Sequence, residues 1–298
     1  MQKNSSGANP QNDGKQLFGF LNVYKPVGMT SHDVVAVLRR VTKIKQIGHT
    51  GTLDPFAEGV LPICIGKATR LIEYLKDDKE YLATVQFGAS TNTFDLDGEK
   101  TFSSDKKVSK EDVIQGLKAF EGEISQLPPI FSAIKVKGKK LYEYARKGEK
   151  VEIQPRKVVI ENIELNNFDE ENQQAQILIK CSKGTYIRSI ANDLGQNLGC
   201  GGYLTKLVRT QAGSFRVENS VQLDGIDVSA NLLNPLEILD LPKIAVNNED
   251  LERIKNGMPI FKTCDKIGNF VILVYNDVEI CAVGIADGDK IKLKKVFL

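Results

Sequence analysis

A short loop in the first quarter of the chain combines residue types that could carry out chemistry on a ligand. It reads GHTGTLDP and spans residues 48–55. Its two glycines permit close approach to the main chain, and Pro55 stiffens the residue after Asp54, so the loop can present a carboxylate rigidly. An ionised carboxylate can attack an electrophilic carbon directly. Taken alone, however, an Asp-Pro pair is more often a structural turn opener.

The rest of the sequence offers little for other kinds of chemistry. Two histidines, His32 and His49, and five scattered cysteines without a CxxC pair argue against a zinc site and a disulfide framework. Neither GxxxxGKS/T nor GxGxxG occurs, which argues against a nucleotide triphosphatase. The run DLDG at residues 95–98 lacks the length and final Glu of a calcium loop, so we interpret it as a turn. We expect neither a metal nor a cofactor.

Strands and helices on both sides of the loop must position it. FGFLNVYKP predicts a strand before it, and TSHDVVAVLRRVTK, with its Ser/Thr start and helical apolar spacing, predicts a helix. After the loop, the pattern predicts a buried strand at VLPICIG, a helix at KATRLIEYLKD, an alternating strand at EYLATVQFG and a turn at TNTFDLDGEK. The first third is therefore mixed α and β.

The middle of the chain continues this sheet after an excursion. Ser109 and Asp112 form a capping pair at the start of SKEDVIQGLKAFEG, and Pro128, Pro129 and Gly138 break the following segment, which predicts a protrusion. The later patterns predict a helix at LYEYARKGEK, strands at VEIQPRKVVIENIELNNF and QAQILIKCSKG, a helix at TYIRSIANDLGQNLG and a strand at KLVRTQAGSFRV. We expect an α+β fold with a mixed, mainly antiparallel sheet to about residue 240.

The two ends of the chain differ from this body. Residues 1–16 are polar and lack the apolar stretch of a secretory signal, which predicts a disordered leader. From residue 241, a short helix precedes three strand patterns, VILVYN, EICAVGIAD and KIKLKKVFL, which predicts a small all-β tail. No apolar run approaches the roughly 20 residues of a membrane helix, and the scattered cysteines fit a reducing cytoplasm.

Charge is clustered, although the net charge is only +2. A basic stretch between residues 135 and 157 contains Lys135, Lys137, Lys139, Lys140, Arg146, Lys147, Lys150, Arg156 and Lys157. By itself such a stretch is more often a solvated helix with flanking loops than a binding surface.

Several motifs together resemble one enzyme family. GHTGTLDPFAEGVLPICIGKATR, with YKPVGMTS before it and CSKGTYIRSIANDLG after it, is similar to the TruB family of pseudouridine synthases, which act on uridine 55 in the T-loop of tRNA. PPIFSAIKVKGKKLYEYARKG is similar to that family's mobile RNA-gripping insertion. The resemblance implies a pseudouridine synthase fold over residues 17–240, an insertion at about 127–157 and a PUA-like RNA-binding domain at 241–298. The turn departs from the family at Asn92 and Phe94.

The resemblance assigns Asp54 as the nucleophile that attacks a flipped-out uridine. The attack could occur at C6 of the base or C1′ of the ribose, and the sequence leaves both open. Tyr81 then packs on the flipped uracil, and this stacking would offset part of the few kcal/mol that flipping costs. Tyr81 could also act as acid or base at C5. His49 fills the gap that the nucleotide leaves.

Further roles follow from the same resemblance. Tyr186 lines the pocket, Arg188 pairs with the nucleophile, Leu207 forms an apolar wall and Asp95 connects to the network around Arg188. Without the family resemblance, Tyr81 would be interpreted as an ordinary strand residue and Leu207 as an ordinary core residue. The family places Lys135, Lys137, Lys139, Lys140 and Arg146 on the RNA backbone, so binding should weaken steeply with salt.

The expected partner is the T-arm of tRNA, bound by a monomer without an obligate protein partner or a membrane. Two alternatives stay open. A non-catalytic RNA-binding or tRNA-folding protein could use GHTG as a KH-type GxxG loop, but that loop lies between helices and this one runs into a strand. A synthase of the same chemistry could act on another RNA.

Overall fold

The computed structural model describes residues 17–264 and 267–298, and the predicted leader at 1–16 lies outside them. The strands up to residue 222 are β1 (Gly19–Lys25), β2 (Ile47–His49), β3 (Glu58–Ile65), β4 (Lys79–Phe87), β5 (Ala89–Thr91), β6 (Lys100–Ser103), β7 (Gly122–Gln126), β8 (Lys135–Val136), β9 (Lys139–Lys140), β10 (Arg156–Asp169), β11 (Gln174–Cys181), β12 (Gly202–Ala212), β13 (Phe215–Arg216) and β14 (Val221–Gln222). The α-helices of this part are α1 (Ser31–Thr42), α2 (Lys110–Leu117), α3 (Leu141–Arg146), α4 (Ile187–Asn197) and α5 (Pro235–Ile238).

One large sheet dominates the described chain. Its strands follow the order β14-β1-β3-β12-β4-β11-β10-β7, with β2 added to β3 and β13 to β12. The pairs β1/β14 and β3/β12 are parallel, whereas the other pairs are antiparallel. The predicted α+β class with a mixed, mainly antiparallel sheet is confirmed. The parallel contact of β3 with β12 brings two segments 150 residues apart beside the loop that carries Asp54.

Local sequence explains where the helices begin. Thr30 caps α1 through a capping box with Asp33, and Ser109 caps α2 through one with Asp112, so each helix has its first free N–H groups satisfied. The alternation in EYLATVQFG places Tyr81, Ala83, Val85 and Phe87 of β4 in the core against α2 and α4.

The tail forms a second, separate sheet. It contains β15 (Lys243–Val246), α6 (Asn248–Lys255), β16 (Phe270–Tyr275), β17 (Glu279–Asp287) and β18 (Lys290–Val296). An apolar cluster that includes Phe20 and Leu71 of the first part and Ile272 and Phe297 of the tail joins the two sheets. The tail is thus packed on the large sheet through a continuous core.

The helix predicted at KATRLIEYLKD is a 3-10 helix, Gly66–Tyr74, whose three-residue turn directs Ala68 and Leu71 together into the core. One part of the fold differs from the sequence prediction. The tail begins with the unpredicted strand β15, which pairs in parallel with β16. β15 has only four residues, of which Val246 alone is buried, so its alternation is too short to reveal a strand.

Two further features concern the described residues as a whole. All five cysteines are free thiols, as their scattered positions predict. No helix in the described ranges is long and apolar enough to cross a membrane.

Candidate active site

The loop that carries Asp54 is held by the segment that opens α1. The Ser31 hydroxyl accepts a hydrogen bond from the Leu53 N–H at 2.9 Å and donates one to the Leu53 carbonyl at 3.2 Å. The Gly28 N–H donates to the Pro55 carbonyl at 2.8 Å. Both residues next to Asp54 are therefore fixed from one side, which limits the positions that its carboxylate can take.

Arg209 of β12 holds the loop through hydrogen bonds to its main chain. Its side chain is 1% exposed and donates to the carbonyls of Val60, Gly51 and Thr52 at 2.7, 3.1 and 3.4 Å. The strand reaches this position because Gly59 has φ +105°, and a Cβ there would lie 2.4 Å from the Arg209 carbonyl oxygen. Gly59 therefore allows β12 to approach β3 closely enough for the Arg209 guanidinium to contact the loop.

Lys25 at the end of β1 supports the loop from a fully buried position. Its ammonium donates to the carbonyls of Pro26, Met29 and Pro55 at 2.9, 2.7 and 3.4 Å. Burial lowers the pKa of Lys25 to about 8, and the nearby Asp54 charge opposes this shift. The folded protein thus holds a cation whose charged form is disfavoured.

This pKa predicts how stability depends on pH. Between the folded pKa of about 8 and the ordinary value of 10.5, the unfolded chain holds a proton that folded Lys25 has lost, so stability from this group rises with pH. From pH 7.5 to 9.5 we expect the unfolding free energy of the wild type to rise by about 2 kcal/mol relative to Lys25→Met. Urea unfolding of both proteins at the two pH values measures this, and a constant or falling difference would contradict it.

Arg188, the second residue of α4, joins four segments around Asp54. Its Nε lies 3.0 Å from Asp54 Oδ2, and its Nη1 lies 3.3 Å from Asp95 Oδ2. Its Nη1 and Nη2 also donate to the carbonyls of Thr93 and Phe131, each at 2.9 Å. The side chains of Arg188 and Asp95 are 5% and 7% exposed, whereas that of Asp54 is 37% exposed. The nucleophile candidate alone faces outward.

Asp95 lies behind Arg188 at the end of a tight turn. The Thr93 hydroxyl donates to Asp95 Oδ1 at 2.5 Å, and the Asp97 N–H donates to the same oxygen at 3.1 Å. Burial raises the pKa of Asp95, while the Thr93 hydrogen bond and the Arg188 charge lower it. Phe94 in this turn has φ 63°, a conformation that is strained for an aromatic residue.

A cavity of about 340 Å³ opens at Asp54, within the size range of small-molecule sites. It brings together five of the residues singled out in the sequence, Asp54, Tyr81, Tyr186, Arg188 and Leu207. Tyr81 and Leu207 are 7% and 5% exposed, so they supply an aromatic and an apolar surface beside the carboxylate. Burial raises the pKa of Tyr81 and of Tyr186.

Tyr186 is held in place through its main chain. The amide side chain of Gln126 donates to the Tyr186 carbonyl at 3.0 Å and accepts from the Tyr186 N–H at 2.7 Å. Gln126 ends β7, which places the root of the insertion beside the cavity. Ser132 and Ala133 of the insertion line the same cavity.

The remaining predicted residues lie outside the cavity. His49 packs edge to face against His32 with ring centroids 5.4 Å apart, and burial is the main cause that lowers its pKa. Lys135, Lys137, Lys139, Lys140 and Arg146 lie on the hairpin β8/β9 and on α3. The side chains of Lys140 and Arg146 lie over the Tyr142 ring, each at 5.4 Å from its centroid.

Three residues that position Asp54 were not predicted from the sequence: Lys25, Ser31 and Arg209. A signal was present for two of them, because Lys25 ends a mainly apolar strand and Arg209 lies on the same face of its strand as Leu207. A fully buried charge of this kind must be paired or hydrogen-bonded. Ser31 carried no signal beyond its place at the start of α1.

Side chains that could ligate a metal are not grouped here. Within residues 17–264 and 267–298, no three His, Cys, Asp or Glu side chains are close enough to hold an ion.

Comparison with known proteins places this geometry in a family. Residues 39–187 match the TruB family pseudouridylate synthase N-terminal domain, and residues 188–235 match the tRNA pseudouridylate synthase B C-terminal domain. The tRNA pseudouridine synthase B of Caldanaerobacter subterraneus subsp. tengcongensis is 43% identical over 94% of this chain and 99% of its own. That of Carboxydothermus hydrogenoformans is 45% identical over 94% and 98%.

A solved structure has the same architecture. A chain from an H/ACA ribonucleoprotein bound to a substrate RNA containing 2′-deoxyuridine superposes with a TM-score of 0.70 at 26% identity, over 94% of this chain and 85% of that chain. The two family matches together span the cavity and the strands that build it. The chain therefore belongs to the TruB family of pseudouridylate synthases.

Proposed function

We propose that this protein converts uridine to pseudouridine at position 55 in the T-loop of tRNA, with Asp54 as the nucleophile. The observation that carries the proposal is the pairing of an outward-facing Asp54 carboxylate with the buried guanidinium of Arg188 at 3.0 Å. The curated relatives quoted above are named tRNA pseudouridine synthase B, which supports tRNA as the substrate.

The chemistry requires one bond to break and another to form. Asp54 attacks the flipped nucleotide at C6 or C1′, the N1–C1′ bond breaks, and C5 then bonds to C1′. The bond between Asp54 and the nucleotide breaks in turn, which returns the carboxylate to its starting state. The C5 proton leaves and N1 gains a proton, so the product is an isomer of uridine. Arg188 orients the carboxylate for this attack. Tyr81 and Leu207 supply the surfaces between which a uracil ring can stack.

The surroundings of the cavity offer contacts for a larger RNA. Exposed basic side chains of the insertion, Lys135, Lys137, Lys139 and Arg146, stand outside the cavity whose wall includes Ser132 and Ala133. In this proposal they bind phosphates of the T-arm, and the tail from residue 241 acts as a PUA-like second RNA contact. His49 props the loop from which the uridine is flipped.

The test is conversion of uridine in an unmodified tRNA transcript, with no metal or cofactor added. We expect pseudouridine at one T-loop position, and none in a control transcript with cytidine at position 55. Tight binding without product on any tRNA would overturn the proposal in favour of a non-catalytic RNA-binding protein. Product at a uridine outside the T-loop would overturn the position but retain the reaction.

A further inference from the structure

Two lysines lie at the mouth of the cavity. Lys79 is two residues before Tyr81 on β4, so both side chains project from the same face of the strand, and both line the cavity. Its alkyl chain crosses the loop, because a Cβ on Gly51 would lie 3.4 Å from Lys79 Cε. Lys183 lines the cavity from the turn between β11 and α4.

The two arginines of the site are committed to other partners. Arg188 is shared by two carboxylates and two carbonyls, and Arg209 by three loop carbonyls. A ligand could bind either guanidinium only by displacing the contacts that hold Asp54. Any negative group of the substrate must therefore be neutralised by other side chains.

The lysines keep donors available for such a group. Lys79 Nζ donates to the Asp77 main-chain carbonyl at 3.0 Å, and an ammonium has two further hydrogens. Lys183 Nζ lies 2.6 Å from the Asp77 carboxylate, with side chains 75% and 53% exposed. Such an exposed ion pair contributes little to stability, so a stronger anion can displace Asp77. Burial lowers the pKa of Lys79, and the charge of Arg209 lowers it further.

We propose that Lys79, with Lys183 beside it, binds a backbone phosphate that flanks the flipped uridine. This inference rests on the proposed function, which places the base on Tyr81 and the ribose at Asp54. The phosphates attached to that ribose then stand at the cavity mouth, where the Asp54 charge repels them. Lys79 compensates for this repulsion with a charge of the opposite sign.

The first test compares Lys79→Met with the matched control Lys180→Met. Lys180 lies on the neighbouring strand β11, is paired with the Glu161 carboxylate at 2.8 Å, and does not line the cavity. With a T-arm stem-loop RNA, we expect Lys79→Met to raise Kd about tenfold and to reduce the slope of log K against log salt by about one. Lys180→Met should leave both unchanged, and Lys79→Arg should stay within about threefold of the wild type.

The second test neutralises the phosphate instead of the lysine. Two stem-loop RNAs each carry one methylphosphonate, either 5′ or 3′ of the target uridine. We expect one of these RNAs to bind the wild type about tenfold more weakly, and Lys79→Met to add no further loss on that RNA, because the pair is already broken. The proposal would be overturned if Lys79→Met weakened the binding of both methylphosphonate RNAs by the same factor as it weakens the binding of the unmodified RNA.

A rate measurement separates the remaining explanations. Single-turnover conversion at saturating RNA should change less than about threefold in Lys79→Met. If Lys79→Met lowered only this conversion rate and left Kd unchanged, the phosphate site would be overturned. Lys79 would then stabilise negative charge that develops on the base during the reaction. If the wild type binds RNA but converts no uridine, the proposed function fails; if it converts uridine and Lys79→Met behaves as the wild type, only the phosphate site fails.

Discussion

Asp54→Asn is expected to reduce the rate of pseudouridine formation by at least about 10⁴-fold, while the affinity for tRNA stays within about threefold of the wild type. Asparagine has nearly the same shape as aspartate but lacks the negative charge that makes a carboxylate a nucleophile. The Asp54 side chain is 37% exposed at the cavity, so the substitution leaves the buried core untouched. The loss should therefore appear in the chemical step.

Single-turnover conversion and filter binding on the same tRNA transcript measure these two quantities. Asp78→Asn is a suitable control, because Asp78 is likewise an aspartate outside the strands, directly before β4, but lies outside the cavity at Asp54. It should convert uridine as the wild type does. An Asp54→Asn enzyme that retains a tenth or more of the wild-type rate would contradict the role of Asp54, as would a loss explained entirely by weaker binding.

Arg188→Met is expected to lower both stability and activity, because one side chain serves both. Its removal leaves Asp95 buried without its counter-charge and frees the carbonyls of Thr93 and Phe131, which should destabilise the fold by about 3 to 5 kcal/mol. Asp54 loses the cation that orients it, so the single-turnover rate should fall by at least about 100-fold. Urea unfolding and single-turnover conversion measure the two effects separately.

The double variant Arg188→Met/Asp95→Leu separates these two roles. Replacing both charges by apolar side chains removes the unpaired buried carboxylate, so much of the lost stability should return. Activity should not return, because Asp54 still lacks its partner. Recovery of activity together with stability would show that Arg188 acts only through the fold. The activity and the stability of Arg188→Lys should lie between those of the wild type and of Arg188→Met. An ammonium retains the charge but cannot contact both carboxylates in the guanidinium geometry.

The arrangement suggests why so many main-chain contacts converge on one loop. Ser31, Lys25 and Arg209 hold Leu53, Pro55 and Gly51 from three different strands or helices, so the carboxylate between them is preorganised. A nucleophile that must meet one carbon atom of a flipped nucleotide gains from this, because misplacement by about 1 Å can cost about 100-fold in rate.

Local sequence was sufficient for the features that depend on neighbouring residues. The capping pair Ser109 and Asp112, the alternation of β4 and the turn-forming glycines follow from contacts over a few positions, and they predicted helix starts, strands and the loop of Asp54. The motifs around GHTGTLDP likewise indicated the family without any knowledge of the fold. The α+β class followed from the mixture of these elements.

Only the tertiary structure decided which distant residues meet. Arg188 on α4 reaches Asp95 across 93 positions. Arg209 reaches Gly51 across 158 positions, because β12 inserts between β3 and β4 in the sheet. Strand order is set by burial of both sheet faces and by pairing of main-chain groups, neither of which is written in a local pattern. For the same reason the sequence indicated a candidate nucleophile and a basic stretch, whereas the fold decided that Lys25 and Arg209 hold the loop and that Lys79 lines the cavity.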